Sequence, residues 1–235
     1  MANRRITTLV LWDVDHTLIE TGGVGREIFA DAFAHAVGRP MEQMAEVSGR
    51  TEPDIFRETA ELHGVEVDQE LFEKFAEQLA KGYEERAEEM RQRGRALPGA
   101  AEALEALAAD PRVAQSVLTG NIRPAAETKL RVFGLDRRID FEAGAYGSDD
   151  GVRPRLVTIA QRRAAERYGM VFDAATTVLI GDTPSDVATG REGGARVIAV
   201  ASGKSTADEL RDAGADLVLE DLVDLEALRE GLALR

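Results

Sequence analysis

The apolar positions along the chain fall into two kinds of run. Short stretches rich in Val, Ile and Leu read as buried strands at Thr7–Val14, Arg112–Leu118, Thr176–Ile180, Arg196–Val200 and Asp216–Leu219. Phe141–Tyr146 is a weaker strand candidate. Between these runs the apolar residues recur every three or four positions. That spacing predicts helices over Ala100–Ala109, Ala125–Phe133, Leu156–Tyr168, Ser185–Glu192 and Thr206–Ala213. Strand–helix alternation of this kind predicts an α/β fold, a Rossmann-like parallel sheet sandwiched by helices.

The stretch from Gly22 to Arg95 breaks the alternation. It carries no convincing strand, only amphipathic helical patterns over Arg26–Val37, Pro53–His63 and Gln69–Gly94. We read it as an all-helical insertion between the first strand and the rest of the sheet. The expected division is a core of residues 1–20 and 96–235 and a helical segment of residues 21–95. Gly22, Gly23 and Gly25 at one end, and Gly94 with Pro98-Gly99 at the other, are candidate hinges.

Composition narrows the partners. A chain of 235 residues with 44% hydrophobic residues can bury a substantial core, and its formal net charge of -14 repels nucleic acid and acidic membranes. A small phosphorylated molecule is not excluded, because local cations outweigh a distant field. The absence of cysteine excludes disulfides and thiolate metal sites. The N-terminal apolar run is short and soon interrupted by Asp13, too early for a signal peptide or a membrane span, so a cytoplasmic location is expected. Lysine is scarce: Lys74, Lys81, Lys129 and Lys204.

The chemistry lies at the strand ends. The first strand runs into Asp13-Val14-Asp15-His16-Thr17, and paired aspartates there are costly to bury without a cation. The carboxyl edge of such a sheet is where ligands bind. The second strand ends in Thr119-Gly120-Asn121, a hydroxyl and backbone amides able to meet an anion at a helix start. A later one ends in Gly181-Asp182-Thr183-Pro184-Ser185-Asp186, adding two carboxylates at the same edge. Taken singly each could be a turn or a helix cap; in this order they are specific.

The constellation resembles the haloacid dehalogenase-like hydrolase superfamily: Asp-x-Asp-x-Thr, then a Ser/Thr, a Lys or Arg, and a Gly-Asp-x-x-x-Asp motif. The helical insertion is similar to the C1 cap of phosphoglycolate phosphatases and β-phosphoglucomutases. The resemblance implies a phosphatase in which Asp13 attacks phosphorus, Asp15 acts as general acid and base, and Thr119 binds the phosphoryl group, with Gly120 and Asn121 beside it. It implies magnesium held by Asp13, the backbone carbonyl of Asp15, and Asp182, with Asp186 binding or orienting from close by. Arg50, in Ser48-Gly49-Arg50-Thr51, is the implied contact to the distal part of the substrate.

Two positions depart from the pattern. His16 stands where glycine is common, and no lysine lies between Lys129 and Lys204 to clamp nucleophile and phosphate. Arg153, before Pro154, is the expected replacement, with Arg155 a competitor. Gly203-Lys204-Ser205-Thr206 imitates the end of a P-loop, but Ile198 occupies the place of its first glycine. A phosphosugar mutase or a catalytically silent binding protein on the same scaffold are the alternatives to a phosphatase. Dehalogenase chemistry is disfavoured by the second aspartate, and Lys74 and Lys81 sit on polar helix faces unsuited to a Schiff base.

Overall fold

Strand β1 (Thr8–Trp12) is buried on both faces, and the rest of the main sheet is arranged around it. Its side chains alternate as a pleated strand requires: Val10 and Trp12 enter one hydrophobic cluster, Leu9 and Leu11 another on the opposite face. The computed structural model describes residues 6–233; Met1 to Arg5, where the N-terminal segment read above begins, lie outside the described residues.

The chain continues through β2 (Ile19–Glu20), α1 (Val24–Val37), α2 (Glu52–Leu62), α3 (Gln69–Glu85), α4 (Ala87–Arg93) and β3 (Arg95–Ala96). It then alternates: α5 (Ala100–Ala108), β4 (Val113–Thr119), α6 (Arg123–Val132), β5 (Ala145–Tyr146), α7 (Arg153–Tyr168), β6 (Thr177–Gly181), α8 (Pro184–Gly193), β7 (Arg196–Val200), α9 (Ala207–Asp212), β8 (Leu217–Leu219) and α10 (Leu225–Ala233). The six-stranded sheet has the order β5-β4-β1-β6-β7-β8, and every pairing in it is parallel. The expected α/β class is the observed one.

The order places β1 between β4 and β6, with Trp12 opposite Val117 on one side and Ile180 on the other. The carboxyl ends of three strands far apart in sequence therefore lie side by side, at the point where the winding changes direction. Helices α5 and α10 cover one face through Leu104, Leu107 and Leu228; α7 covers the other through Leu156, Val157 and Ala160.

Helices α1–α4 pack around their own aromatic cluster, in which Phe56 stacks on Phe75 at 4.0 Å and Phe29 meets Phe75 edge-on at 4.9 Å. The cluster extends to Ile122 and Ala125 at the start of α6, which ties the helical segment to the sheet layer.

Several expected elements differ in detail. The helix read as Gln69–Gly94 is two, α3 and α4. They are broken at Arg86, whose backbone leaves the helical region (φ -100, ψ 17) and whose guanidinium bonds Glu27, Asp31 and Glu89. Phe141–Tyr146 is mostly not strand: Phe141–Ala143 is a 3-10 turn capped by Asp140, and only Ala145–Tyr146 pairs with β4. The stretch read as free of strands ends in β3, which pairs antiparallel with β2 where the chain leaves and re-enters the sheet layer. Helix α7 starts at Arg153, three residues before the expected Leu156, so Arg153 belongs to its first turn. Helix α10 follows the last expected element and carries Leu225, Leu228 and Leu232 inward at helical spacing.

Candidate active site

The carboxyl end of β1 is pinned by a hydrogen bond from the Asp13 amide to the Ile180 carbonyl at 2.8 Å. The neighbouring strand β6 runs on to Asp182, and the capped start of α8 carries Asp186. Asp13, Asp182 and Asp186 thus form a buried cluster whose ligand atoms lie within 4.8 Å of one another. Thr17 bridges two of them, its hydroxyl 3.2 Å from Asp182 Oδ1 and 3.5 Å from Asp13 Oδ2.

Three carboxylates this close repel one another. Burial, then the charge of Asp186, pushes Asp13 well above the ordinary carboxylate range, and the same two causes push Asp182 up to about 7. An all-oxygen, anionic and strained donor set of this kind fits a hard divalent cation. Asp186 is the most engaged of the three. One oxygen pairs with Arg153; the other accepts from the Thr183 amide at 3.0 Å and from the Thr183 hydroxyl at 2.6 Å.

The two candidate arginines separate in space. Arg153 is buried against Asp186, and its Nε has no hydrogen-bond partner among the described residues. Arg155 is 67% exposed and reaches only Asp150, at 3.4 Å.

Thr119 ends β4, and its hydroxyl accepts from Asn121 Nδ2 at 2.7 Å. Gly120 is where the helical segment touches the sheet layer. A β-carbon there would lie 2.2 Å from the Arg50 carbonyl oxygen, and the Gly120 carbonyl accepts from the Glu52 amide at 2.7 Å. Above these groups is a cavity of about 440 Å³. Asp13, Asp15, Thr119, Asn121, Arg153 and Asp182 line its floor, and Phe29, Arg50, Ile55 and Tyr83 its roof.

His16 lines the same cavity in a left-handed backbone conformation, φ 63. That conformation costs a residue with a β-carbon about 1–2 kcal/mol, which is why glycine suits the position. Here its amide donates to the Ile19 carbonyl at 2.7 Å and its carbonyl accepts from Ser202 Oγ at 2.7 Å, holding the turn without glycine. The Gly203-Lys204 segment follows directly. A β-carbon on Gly203 would fall 1.9 Å from Asp182 Oδ2, so this loop packs on the carboxylate cluster, and Lys204 lines the cavity.

A family model described as haloacid dehalogenase-like hydrolase matches residues 10–191, most of the chain. The chain belongs to the haloacid dehalogenase-like hydrolases. No curated protein matches this hydrolase. Among solved structures it is similar to a hydrolase from Pseudomonas syringae, 24% identical, with a TM-score of 0.68 over 95% of this chain and 98% of the other. It is similar to a protein of Haemophilus somnus 129PT described as a predicted phosphoglycolate phosphatase, 16% identical, with a TM-score of 0.65 over 95% and 98%. It is also similar to CbbY of Rhodobacter sphaeroides, solved in complex with phosphate, 19% identical, with a TM-score of 0.65 over 97% and 100%.

Among the residues of the hydrolase that reach the cavity, sequence reasoning did not single out Lys129, Tyr83 and Glu52. Lys129 Nζ lies 3.0 and 2.8 Å from the two oxygens of Asp15 and 2.5 Å from Asn121 Oδ1. Burial opposes charge on Asp15, but the Lys129 ammonium and the hydrogen bonds from Lys129 and Asn121 hold it below the ordinary range. Burial likewise opposes the charge of Lys129, and Asp15, Tyr83 and Glu52 outweigh it, raising its pKa. Glu52 is buried and pushed up to about 7, although it accepts from the Ile122 amide at 2.7 Å. The signal for Lys129 was present: it is a lysine on the face of α6 that also carries Ala125, Ala126 and Leu130.

Arg50 lines the cavity, but its guanidinium is paired with Glu58 and bonded to the Glu46 carbonyl at 3.4 Å. No helix among the described residues is long and apolar enough to cross a membrane.

Proposed function

We propose that this hydrolase is a magnesium-dependent phosphatase of small phosphomonoesters that works through an aspartyl-phosphate on Asp13. The observation that carries the reading is the buried carboxylate cluster of Asp13, Asp182 and Asp186 at the floor of a cavity that Asp15 also faces. Structural likeness to a protein described as a phosphoglycolate phosphatase, and to one that holds phosphate, supports it.

Asp13, the Asp15 carbonyl and Asp182, with Asp186 alongside, would hold a magnesium ion, which would supply Lewis-acid polarisation and offset repulsion between anionic nucleophile and anionic substrate. Asp13 attacks phosphorus. As its new oxygen–phosphorus bond forms, the bond to the leaving oxygen breaks and that oxygen takes the proton of Asp15. Water then attacks the aspartyl-phosphate and gives its proton to Asp15, which frees Asp13 and inorganic phosphate. Thr119 and the Gly120 amide bind phosphoryl oxygens, and Arg153 supplies positive charge from the side of Asp186.

On this reading residues 1–20 and 96–235 are the catalytic core and residues 21–95 a cap. The loop around Arg50 and Glu52 is the cap's contact with Gly120, and the cavity beneath it excludes bulk water. Its volume of about 440 Å³ suits a small phosphorylated metabolite. The test is phosphate release from a panel of phosphorylated metabolites and an aryl phosphate, with and without magnesium, against Asp13→Asn. Release that needs both magnesium and Asp13 is expected; equal release by the variant, or none from any compound, overturns the reading.

A further inference from the structure

We propose that Lys129 is a positioning residue for Asp15, fixing the orientation from which Asp15 exchanges its proton; the proposal rests on the phosphatase reading above. Lys129 is 4% exposed, and lysine is almost never buried to that degree without a partner. Its ammonium has three N–H donors and no acceptor. Asp15 Oδ1, Asp15 Oδ2 and Asn121 Oδ1 accept from it, at 3.0, 2.8 and 2.5 Å. Lys129 borders the cavity, and its ammonium is committed to these partners. Its effect must therefore pass through its partners.

Those partners form one chain of hydrogen bonds. Asn121 Nδ2 donates to Asp15 Oδ2 at 2.8 Å and to Thr119 Oγ1 at 2.7 Å. The general acid is thereby held in register with the hydroxyl that binds the phosphoryl group. A carboxylate offers about four acceptor sites. Among the described residues, Lys129 and Asn121 use both sites of Oδ2 and Lys129 one of Oδ1. The remaining site on Oδ1 is the one from which the proton passes to the leaving oxygen and to which water returns it. Tyr83 of α3 closes the arrangement from above, its ring centroid 4.9 Å from the ammonium. Lys129 thus sits between the general acid and the helical segment, on the buried side of both.

Positioning predicts a signature that a merely structural lysine would not give. Aryl phosphates with graded leaving groups, from 4-nitrophenyl to 4-methoxyphenyl phosphate, differ in how much they need a proton donor. Wild-type kcat/KM should depend weakly on leaving-group basicity. Lys129→Gln should steepen that dependence towards the slope of Asp15→Asn. The expected loss is a few-fold on 4-nitrophenyl phosphate and about 100-fold on the most basic leaving group, the size of a lost general acid. The double variant Lys129→Gln/Asp15→Asn removes both members of the buried pair together, so it keeps the test available if the single variant does not fold. Its rates and slope should match those of Asp15→Asn alone. Equal losses across the series, an unchanged slope, or a further tenfold loss in the double variant would overturn the positioning role. Each of those outcomes leaves the phosphatase reading standing if turnover still requires Asp13; only release independent of Asp13, or no release by the wild type, removes that reading as well.

Discussion

Arg153 is buried against Asp186, while Arg155, two positions along the same helix, faces solvent. On a helix, residues two apart point about 200° away from each other, so only one of the pair can face the cluster. Arg153 opens α7 and pairs with Asp186. Arg153→Ala should lower kcat/KM by about 10²–10³, as loss of one preorganised charged donor does. Arg155→Ala should change it less than about threefold, and Arg153→Lys should recover part of the loss. Steady-state kinetics on one substrate with all three variants tests this; equal losses at both arginines would contradict it.

Asp13→Asn should abolish turnover yet stabilise the metal-free protein at pH 8. Burial and the neighbouring carboxylates raise the Asp13 pKa in the folded state. An acid whose folded pKa is raised contributes stability below its unfolded pKa, and that contribution is lost as pH rises through the folded value. Asparagine removes the cost of ionising there. Urea unfolding with a chelator present should show a higher midpoint for the variant at pH 8, and a smaller difference at pH 4. A lower midpoint at pH 8 would mean that the carboxylates are not under mutual repulsion.

Protons should compete with magnesium. Burial and the charge of Asp186 push Asp182 up to about 7, so on the proposed reading its carboxylate is less available to magnesium below that pH than above it. The magnesium concentration giving half-maximal activity should rise as pH falls from 8 to 6, by up to about tenfold per unit below pH 7. A half-saturation independent of pH across that interval would count against Asp182 as a ligand.

Glu52 should cost stability at high pH. Its folded value of about 7 lies above the usual 4.5, so the folded protein is favoured below pH 4.5 and loses that advantage as pH rises to 7. Glu52→Gln keeps an acceptor for the Ile122 amide and removes the charge. It should leave stability at pH 4.5 nearly unchanged and raise it at pH 8 by on the order of 1–3 kcal/mol. Denaturant melts at the two pH values check the sign. A loss at pH 8 would show that the ionised carboxylate is needed beside Lys129.

The β-branched runs, the helical periods and the carboxylates at strand ends were all legible along the chain, because each is a local pattern. Parallel strand order then brought Asp13, Thr119 and Asp182 to one edge, an arrangement that the alternation of strands and helices implies. What a linear reading blurred were places where the backbone departs from regularity: the break at Arg86, the turn at Phe141–Ala143 and the early start of α7. Periodicity shows which face is apolar, and it is insensitive to a single residue leaving the helical region.

The residue types of the candidate site, and their order along the chain, were legible in the sequence itself, since strand ends and acidic motifs are read over a few positions. Only the tertiary structure decided that Lys129 meets Asp15 across 114 positions, that Glu52 reaches the Ile122 amide, and that Arg153 rather than Arg155 is buried. Those contacts depend on how α6, α7 and the helical segment close over the carboxyl edge of the sheet. Packing geometry between distant elements sets that closure, and it leaves no periodic trace in the chain.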